Sequence, residues 1–182
     1  MTILRQKVII ITGQLAALKS TVAKRLANDF SAVFISKDFL KERLAEKIKA
    51  PTRESNKQLS AATFLVMKDQ LMSVVPIVDV VIIEANFKEH EYNQLIADLH
   101  HKKVLYKTIY LYAGFDVLYE RYLKRYNTLH HTHKSMGVIS PTLFKASMQY
   151  YDEVYKNKDK VEAIDTSLYN ETVYQKIKSL LQ

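Results

Sequence analysis

Short apolar runs alternate along this chain with longer segments in which apolar residues recur every three or four positions. Four of the runs are rich in β-branched and aromatic residues and predict strands that are buried on both faces. A weaker run near the C-terminus predicts a fifth strand. The predicted strands cover residues 8–11, 32–35, 80–83, 105–111 and 161–164.

The segments between these runs predict helices. In the first of them, Val22, Leu26 and Phe30 recur at four-residue intervals and so share one face. The predicted helices cover residues 20–30, 39–48, 56–75, 89–101, 115–126, 141–157 and 170–181. Strands that alternate with helices predict right-handed crossovers, and therefore an α/β fold whose parallel sheet is covered by helices on both faces.

Composition narrows the class of protein further. The chain has 182 residues, 48% of them hydrophobic, and its 3 glycines and 3 prolines leave no linker-like segment, so we expect one domain over residues 1–182. With 0 cysteines, disulfides and thiolate chemistry are excluded. The chain lacks an apolar run of ~18 residues and a signal-peptide core, which predicts a cytoplasmic protein without a membrane span.

The formal net charge of +8 favours anionic partners, such as nucleotides, phosphorylated metabolites or nucleic acid. The lysines are scattered along the whole chain, however, and a solvated basic surface explains the charge equally well. Charge alone therefore does not choose a function.

In open parallel sheets, ligands bind beyond the carboxyl ends of the strands. The segment TGQLAALKST follows the first predicted strand and matches a phosphate-binding P-loop at all but one position. Such a loop wraps phosphates with backbone N–H groups at a helix N-terminus, while its lysine reaches the β- and γ-phosphates and its hydroxyl binds Mg²⁺. The predicted nucleotide-binding residues here are Gly13, Gln14, Leu15, Ala16, Ala17, Leu18, Lys19, Ser20 and Thr21.

Leu18 stands where the P-loop pattern has glycine. If this position requires a left-handed backbone, leucine costs roughly 1–2 kcal/mol there. Ala16 and Ala17 make the loop less permissive still. The alternative interpretation is a plain strand-to-helix turn with an exposed lysine.

Asp38 is predicted at the carboxyl end of the second strand, where a helix opens, and Lys41 follows one turn later. In a phosphoryl-transfer site, such an aspartate can accept the proton of the attacking hydroxyl, and the lysine can hold the substrate. The alternative role for Asp38 is that of an N-cap.

Glu84 ends the third predicted strand and matches the position of an acidic residue that organises Mg²⁺ in P-loop enzymes. Asn86 and Phe87 follow it and are predicted to line the substrate cleft. The alternative is a solvated glutamate at the end of a strand.

Arg121 and Arg125 lie four residues apart on the helix after the fourth strand, so both are predicted on one helical face. Residues 126–140 form a polar segment that we expect to act as a lid. The arginines would close over the ATP phosphates and neutralise charge in the transition state. Alternatively, they belong to an exposed charged face.

His130, His131 and His133 lie within this lid segment. They suggest either a Zn²⁺ site or contacts to phosphate, and the spacing, without a nearby acidic or thiol ligand, favours phosphate.

Asp165 and Thr166 follow the last strand, where the adenine or ribose packs in this architecture. Asp165 alternatively caps the last helix.

Taken together, these segments resemble the P-loop kinase superfamily, which includes shikimate kinase, chloramphenicol phosphotransferase, zeta-type toxins and polynucleotide kinase. The resemblance rests on TGQLAALKST, ISKDFLK, VVIIEANF and the helix of Arg121 and Arg125, in that order. His130-x-x-His133 is similar to an Arg-His-x-x-His lid segment, with Leu129 in the place of the arginine.

The resemblance implies a three-layer fold with five parallel strands in the order 2-3-1-4-5 and phosphoryl transfer from ATP with Mg²⁺. Asp38 would then be the base, Lys41 a substrate contact, Lys19 a phosphate ligand, and Ser20 and Glu84 the residues at the metal.

Three hypotheses about function remain at this point. The first is a kinase that acts on a hydroxyl of a small molecule or nucleoside. The second is a nucleotide-binding regulatory module or pseudokinase without turnover, which Leu18 suggests. The third is a 5′-hydroxyl polynucleotide kinase, which the basic stretch of Lys47, Lys49, Arg53 and Lys57 suggests.

Overall fold

The computed structural model describes residues 7–134 and 137–181, which form a five-stranded parallel sheet. Its strands are β1 (Val8–Gly13), β2 (Val33–Ser36), β3 (Val81–Glu84), β4 (Tyr106–Tyr112) and β5 (Val161–Asp165). They are ordered β2-β3-β1-β4-β5, and each neighbouring pair is parallel. The predicted strands and the 2-3-1-4-5 order are therefore confirmed.

Helices connect successive strands, as the alternating pattern predicts. They are α1 (Lys19–Phe30), α2 (Lys37–Ala45), α3 (Arg53–Val74), α4 (Glu89–His101), α5 (Phe115–Tyr126), α6 (Pro141–Tyr155) and α7 (Glu171–Ser179). A short 3-10 helix, η1 (His131–His133), lies between α5 and α6. The predicted lid, residues 126–140, includes Ser135 and Met136, which lie outside the described residues.

Strand β1 lies at the centre of the sheet, and all six of its residues are buried. Ile9 and Ile11 face a core formed mainly with α1, α5 and α7, whereas Val8 and Ile10 face a second core formed mainly with α3 and α4. Burying each such side chain stabilises the fold by roughly 1.5–3 kcal/mol. The apolar run without polar alternation is thus explained by helices on both faces of the strand.

Helix α2 begins at Lys37, two residues earlier than predicted, because Ser36 acts as its N-cap. The Ser36 hydroxyl accepts a hydrogen bond from the Phe39 N–H at 3.5 Å. The alternative that Asp38 caps this helix is therefore wrong. Asp38 lies in the first turn, where its negative charge is favourable to the helix dipole and its carboxylate is not used as the cap.

Gly13 ends β1 with φ at 149°, a backbone conformation that other residues rarely adopt. A Cβ atom at this position would lie 2.1 Å from the carbonyl oxygen of Leu111 in β4. Glycine is required here because the backbones of the two strands approach each other so closely. This contact fixes the point at which the chain leaves the sheet.

No helix among the described residues is both long enough and apolar enough to cross a membrane.

We predict that Gly13→Ala destabilises the protein by at least about 3 kcal/mol, because the added methyl group overlaps backbone that cannot move without breaking the sheet. Urea denaturation measures the change. Gly114→Ala is the matched control, because a Cβ atom there meets no atom within 4 Å; its cost should be about 0.5 kcal/mol. Equal unfolding midpoints for the two variants would contradict the close approach.

Candidate functional site

The carboxyl ends of β1, β2 and β3 meet at one edge of the sheet, and a pocket of about 200 Å³ opens there. The loop after β1 forms one wall, while α2, the end of β3, α5 and η1 contribute the others. The lining residues are Leu15, Ala16, Ala17, Leu18, Lys19, Ser20, Thr21, Asp38, Glu84, Asn86, Arg125 and His133. Residues predicted from five separate segments of the sequence therefore come together.

The loop after β1 contains two non-glycine residues in the left-handed conformation. Ala16 has φ at 63°, and Leu18 has φ at 64° with ψ at 22°. The strain expected at Leu18, roughly 1–2 kcal/mol, is thus present, and Ala16 carries a similar strain. The loop keeps a tight turn into α1 although Leu18 occupies the glycine position.

Gln14 anchors this loop and does not face the pocket. Its side-chain oxygen accepts a hydrogen bond from the Ala113 N–H at 3.1 Å. Its amide nitrogen donates to Asp152 at 3.1 Å and to the Met148 carbonyl at 3.4 Å. The side chain, only 1% exposed, therefore ties the loop to α6 and to the end of β4, and the prediction that it binds nucleotide is wrong for the side chain.

Lys19 is buried at the start of α1, and its Nζ donates to the Gln14 carbonyl oxygen at 2.7 Å. Burial lowers the pKa of Lys19 from its usual 10.5 to about 8, although the negative charges of Glu84 and Asp38 oppose this shift. Nearby Arg125 lowers the pKa further. The alternative of an exposed lysine in a plain turn is wrong, because this ammonium group is held inside the pocket.

Glu84 is also buried, with 1% of its surface exposed, so the alternative of a solvated glutamate is wrong. Its Oε2 accepts a hydrogen bond from the Ser36 hydroxyl at 3.0 Å. Burial raises the pKa of Glu84, while the Lys19 charge and hydrogen bonds from Ser36 and Ser20 oppose the rise. A carboxylate beside the Ser20 hydroxyl is a set of hard oxygen ligands, which fits Mg²⁺.

Asp38 is exposed and lines the pocket from the first turn of α2. Lys41 lies one turn further along this helix and is half-buried. Burial lowers the pKa of Lys41, and the negative charge of Asp38 opposes this effect. The two side chains therefore lie near each other, as their spacing predicts.

Arg121 and Arg125 do not act together, contrary to the prediction from their spacing. Arg125 lines the pocket. Arg121 instead donates from Nη2 to the carbonyl oxygens of Thr166 and Ser167, at 2.8 and 3.2 Å. Its guanidinium group holds the loop between β5 and α7 and does not line the pocket.

The loop after β5 is packed against the loop after β1, because the Thr166 hydroxyl lies 3.4 Å from the Ala17 carbonyl oxygen. Thr166 is fully buried, and its hydroxyl donates to the Tyr112 carbonyl at 2.9 Å, so the prediction that this side chain packs against adenine or ribose is wrong. Asp165 is exposed and accepts a hydrogen bond from the Ser167 N–H at 2.7 Å. The alternative that Asp165 caps the last helix is wrong, because Asn170 caps α7.

The two residues predicted to line a substrate cleft after β3 differ in environment. Asn86 is half-buried and lines the pocket. Phe87 is fully buried and packs edge-on against Phe64, with 6.4 Å between ring centroids. It is a core residue, so its predicted place in the cleft is wrong. The apolar character of Phe87 did not distinguish a cleft wall from the core.

The histidines also separate into different environments. His133 lines the pocket, and its Nε2 lies 3.0 Å from Oε1 of Glu42. His130 contacts the Thr132 hydroxyl at 2.9 Å, and His131 is exposed. Within residues 7–134 and 137–181, no group of three His, Cys, Asp or Glu side chains is arranged to hold a metal ion, so the Zn²⁺ alternative has no geometric support.

Sequence reasoning missed a buried ion pair beside this site. Lys37 Nζ lies 2.6 Å from Oε1 of Glu91 in α4, and the two side chains are only 7% and 4% exposed. The pair attaches the start of α2 to α4. Nothing in the local pattern distinguished Lys37 from the solvated lysines around it.

The protein has the three-layer α/β fold of the P-loop kinases, with a five-stranded parallel sheet in their strand order. The expected resemblance is therefore confirmed at the level of the fold. No protein-family model matches the chain, and no curated protein sequence matches it significantly.

Three solved structures illustrate the likeness. A "putative kinase" from Chloroflexus aurantiacus J-10-fl has a TM-score of 0.76 and 21% identity, over 97% of this chain and 99% of that one. Shikimate kinase from Bacteroides thetaiotaomicron has a TM-score of 0.63 and 18% identity, over 96% and 97%. Deoxyadenosine kinase from M. mycoides with bound dATP has a TM-score of 0.61 and 15% identity, over 96% and 98%.

We predict that Leu18→Gly is more stable than Leu18→Ala by about 1 kcal/mol. Both variants remove the leucine side chain, but only glycine relieves the left-handed strain. Urea denaturation measures the difference. At Lys24, an exposed position within α1, the order should reverse, because glycine is about 1 kcal/mol less favourable than alanine inside a helix. The same order at both positions would contradict the strain.

We also predict that the stability of the wild type rises relative to Lys19→Met between about pH 8 and pH 10.5. In this window the unfolded chain still binds the Lys19 proton and the folded protein does not, so the free energy of unfolding increases with pH. The full change is on the order of 3 kcal/mol. Urea denaturation of both proteins at several pH values measures it, and a difference that is constant with pH would refute the lowered pKa.

Proposed function

We propose that this protein is an ATP-dependent phosphotransferase that moves the γ-phosphoryl group of ATP to a hydroxyl of a small molecule or nucleoside. The observation that carries the proposal is the convergence of Lys19, Glu84 and Asp38 on one pocket at the N-terminus of α1. A buried cation, a buried carboxylate and an exposed carboxylate are the groups that phosphoryl transfer requires.

In this proposal, residues 13–21 hold the phosphates of ATP. The backbone N–H groups at the start of α1 face the anion, and the helix dipole favours negative charge there. Lys19 leaves the Gln14 carbonyl and binds the phosphate oxygens instead. Ser20 and Glu84 would hold Mg²⁺, which would supply positive charge to the phosphate oxygens.

Asp38 accepts the proton of the acceptor hydroxyl. The hydroxyl oxygen forms a bond to the γ-phosphorus, and the bond from that phosphorus to the β–γ bridging oxygen breaks. ADP leaves with the electron pair of the broken bond. Arg125 and Lys19 stabilise the negative charge that spreads over the transferring group.

The remaining nucleotide and acceptor contacts follow from the same arrangement. The adenine or ribose packs beside the exposed Asp165, in a loop that Arg121 holds in place. The acceptor lies beside α2, where Lys41 and Asn86 contact it. The basic residues Lys47, Lys49, Arg53 and Lys57 are exposed, but none of these four lines the pocket, so a nucleic-acid acceptor is not favoured.

We predict that Asp38→Asn retains nucleotide binding and loses transfer by at least about 100-fold. ATP with Mg²⁺ at about 100 times its dissociation constant should raise the unfolding temperature by roughly 5–10 °C in the wild type and in Asp38→Asn. The shift should disappear in Lys19→Met, because the phosphates lose their buried cation. Formation of ADP is then measured with acceptor candidates such as shikimate and deoxyadenosine.

The outcomes separate the hypotheses. No thermal shift in the wild type at millimolar nucleotide would refute the kinase and the nucleotide-binding module together. A shift without acceptor-dependent ADP formation from any hydroxyl compound would favour the nucleotide-binding module. Unchanged turnover in Asp38→Asn would mean that another group is the base.

A further inference from the structure

We infer that Glu42 on α2 positions His133 of η1 as an additional ligand of the γ-phosphoryl group, so that the helix carrying the proposed base also sets the phosphate contact. This inference rests on the proposed function. It assigns a positioning role to Glu42, which the sequence did not single out, and a specific phosphate to His133.

The first observation is the contact between these two side chains. His133 Nε2 lies 3.0 Å from Glu42 Oε1, and His133 lines the same pocket as Lys19 and Arg125. An ionised carboxylate only accepts hydrogen bonds, so the proton of this bond lies on Nε2. When the imidazole is doubly protonated, Nδ1 carries a second N–H group that is available to a phosphate oxygen.

The second observation is the position of Glu42 on its helix. Glu42 follows Asp38 by four residues, so both carboxylates lie on one face of α2. Since the acceptor hydroxyl attacks the γ-phosphorus beside Asp38, a side chain held by the next turn lies on the γ side of the pocket. His133, which Glu42 holds, therefore contacts the γ-phosphoryl group and not the α- or β-phosphate.

The third observation is that the backbone of η1 is fixed independently of this pair. The Asn56 side chain in α3 donates a hydrogen bond to the Thr132 carbonyl at 2.9 Å, and both residues are buried. Helix α3 thus holds the backbone next to His133, while Glu42 sets the direction of the ring. Two helices together leave the imidazole little freedom, which favours a defined contact with a ligand.

The energy of the pair also points away from a purely structural role. The side chains of His133 and Glu42 are 20% and 35% exposed. Ion pairs that water reaches contribute little to folding, because screening and side-chain entropy offset most of the attraction. The contact between His133 and Glu42 therefore stabilises the fold only weakly. Because His133 lines the pocket, a role in ligand binding explains the contact better.

The test compares the dissociation constants of ATP and ADP, each with Mg²⁺, because only ATP has the γ-phosphoryl group. We expect His133→Ala to weaken ATP binding roughly 10-fold, as the loss of a charge-assisted hydrogen bond does. ADP binding should change by less than about 2-fold. His131→Ala is the matched control, since His131 lies in the same turn but is exposed and outside the pocket lining.

Glu42→Gln should weaken ATP binding roughly 3-fold, which is the effect of an exposed pair. In the His133→Ala background, the same substitution should have no further effect, because Glu42 acts through His133. Glu42→Asp keeps the charge and should restore part of the preference for ATP over ADP. Glu46→Gln is the control for α2, since Glu46 is the C-cap of this helix and pairs with Arg43.

Four results would overturn the inference. Equal weakening of ATP and ADP by His133→Ala would mean that His133 shapes the pocket as a whole. An effect of Glu42→Gln that persists without His133 would mean that Glu42 acts directly. Wild-type protein that binds neither nucleotide would refute the proposed function as well, whereas ATP binding that is unaffected by His133→Ala would refute this inference alone.

Discussion

The close approach of Gly13 to Leu111 is the constraint on which the candidate site depends. Strand β1 is the centre of the sheet, and its last residue lies against the backbone of β4 at a distance that excludes any side chain. The chain must therefore leave the sheet at Gly13. The following loop then reaches α1 in five residues, and this short path brings Lys19 back over the end of β1, where its Nζ meets the Gln14 carbonyl.

The same loop explains how a P-loop-like backbone is kept without its second glycine. Ala16 and Leu18 both adopt left-handed conformations that are unfavourable for them. The strain persists because contacts outside the loop oppose relaxation: the buried Gln14 amide binds α6 and the end of β4, and the Thr166 hydroxyl lies 3.4 Å from the Ala17 carbonyl oxygen. The residue type at position 18 thus raises the energy of the loop but does not decide its conformation.

Much of the fold follows from the sequence, because an all-parallel sheet requires apolar strands and amphipathic helices in alternation. The strand order came from the resemblance, since hydrophobic periodicity does not say which strands are neighbours. The site was predicted less completely. Gln14, Phe87 and Arg121 lie in segments that were identified correctly, yet each side chain faces the interior or a neighbouring loop. Local spacing gives a residue's position along an element, but the partners that fix its direction are distant in sequence.

Helix α2 connects the two halves of the proposed chemistry. Its start is held by two buried contacts, Ser36 with Glu84 and Lys37 with Glu91, so its first turn cannot move independently of β3 and α4. Asp38 lies in that turn, and the next turn reaches η1 through Glu42. In the proposed reaction, an acceptor that binds against α2 would therefore contact the same helix that orients His133. Transfer requires the base, the acceptor and the phosphoryl group to be aligned with one another. Because α2 carries the base and would contact the other two groups, directly or through His133, the placement of this one helix would set their alignment.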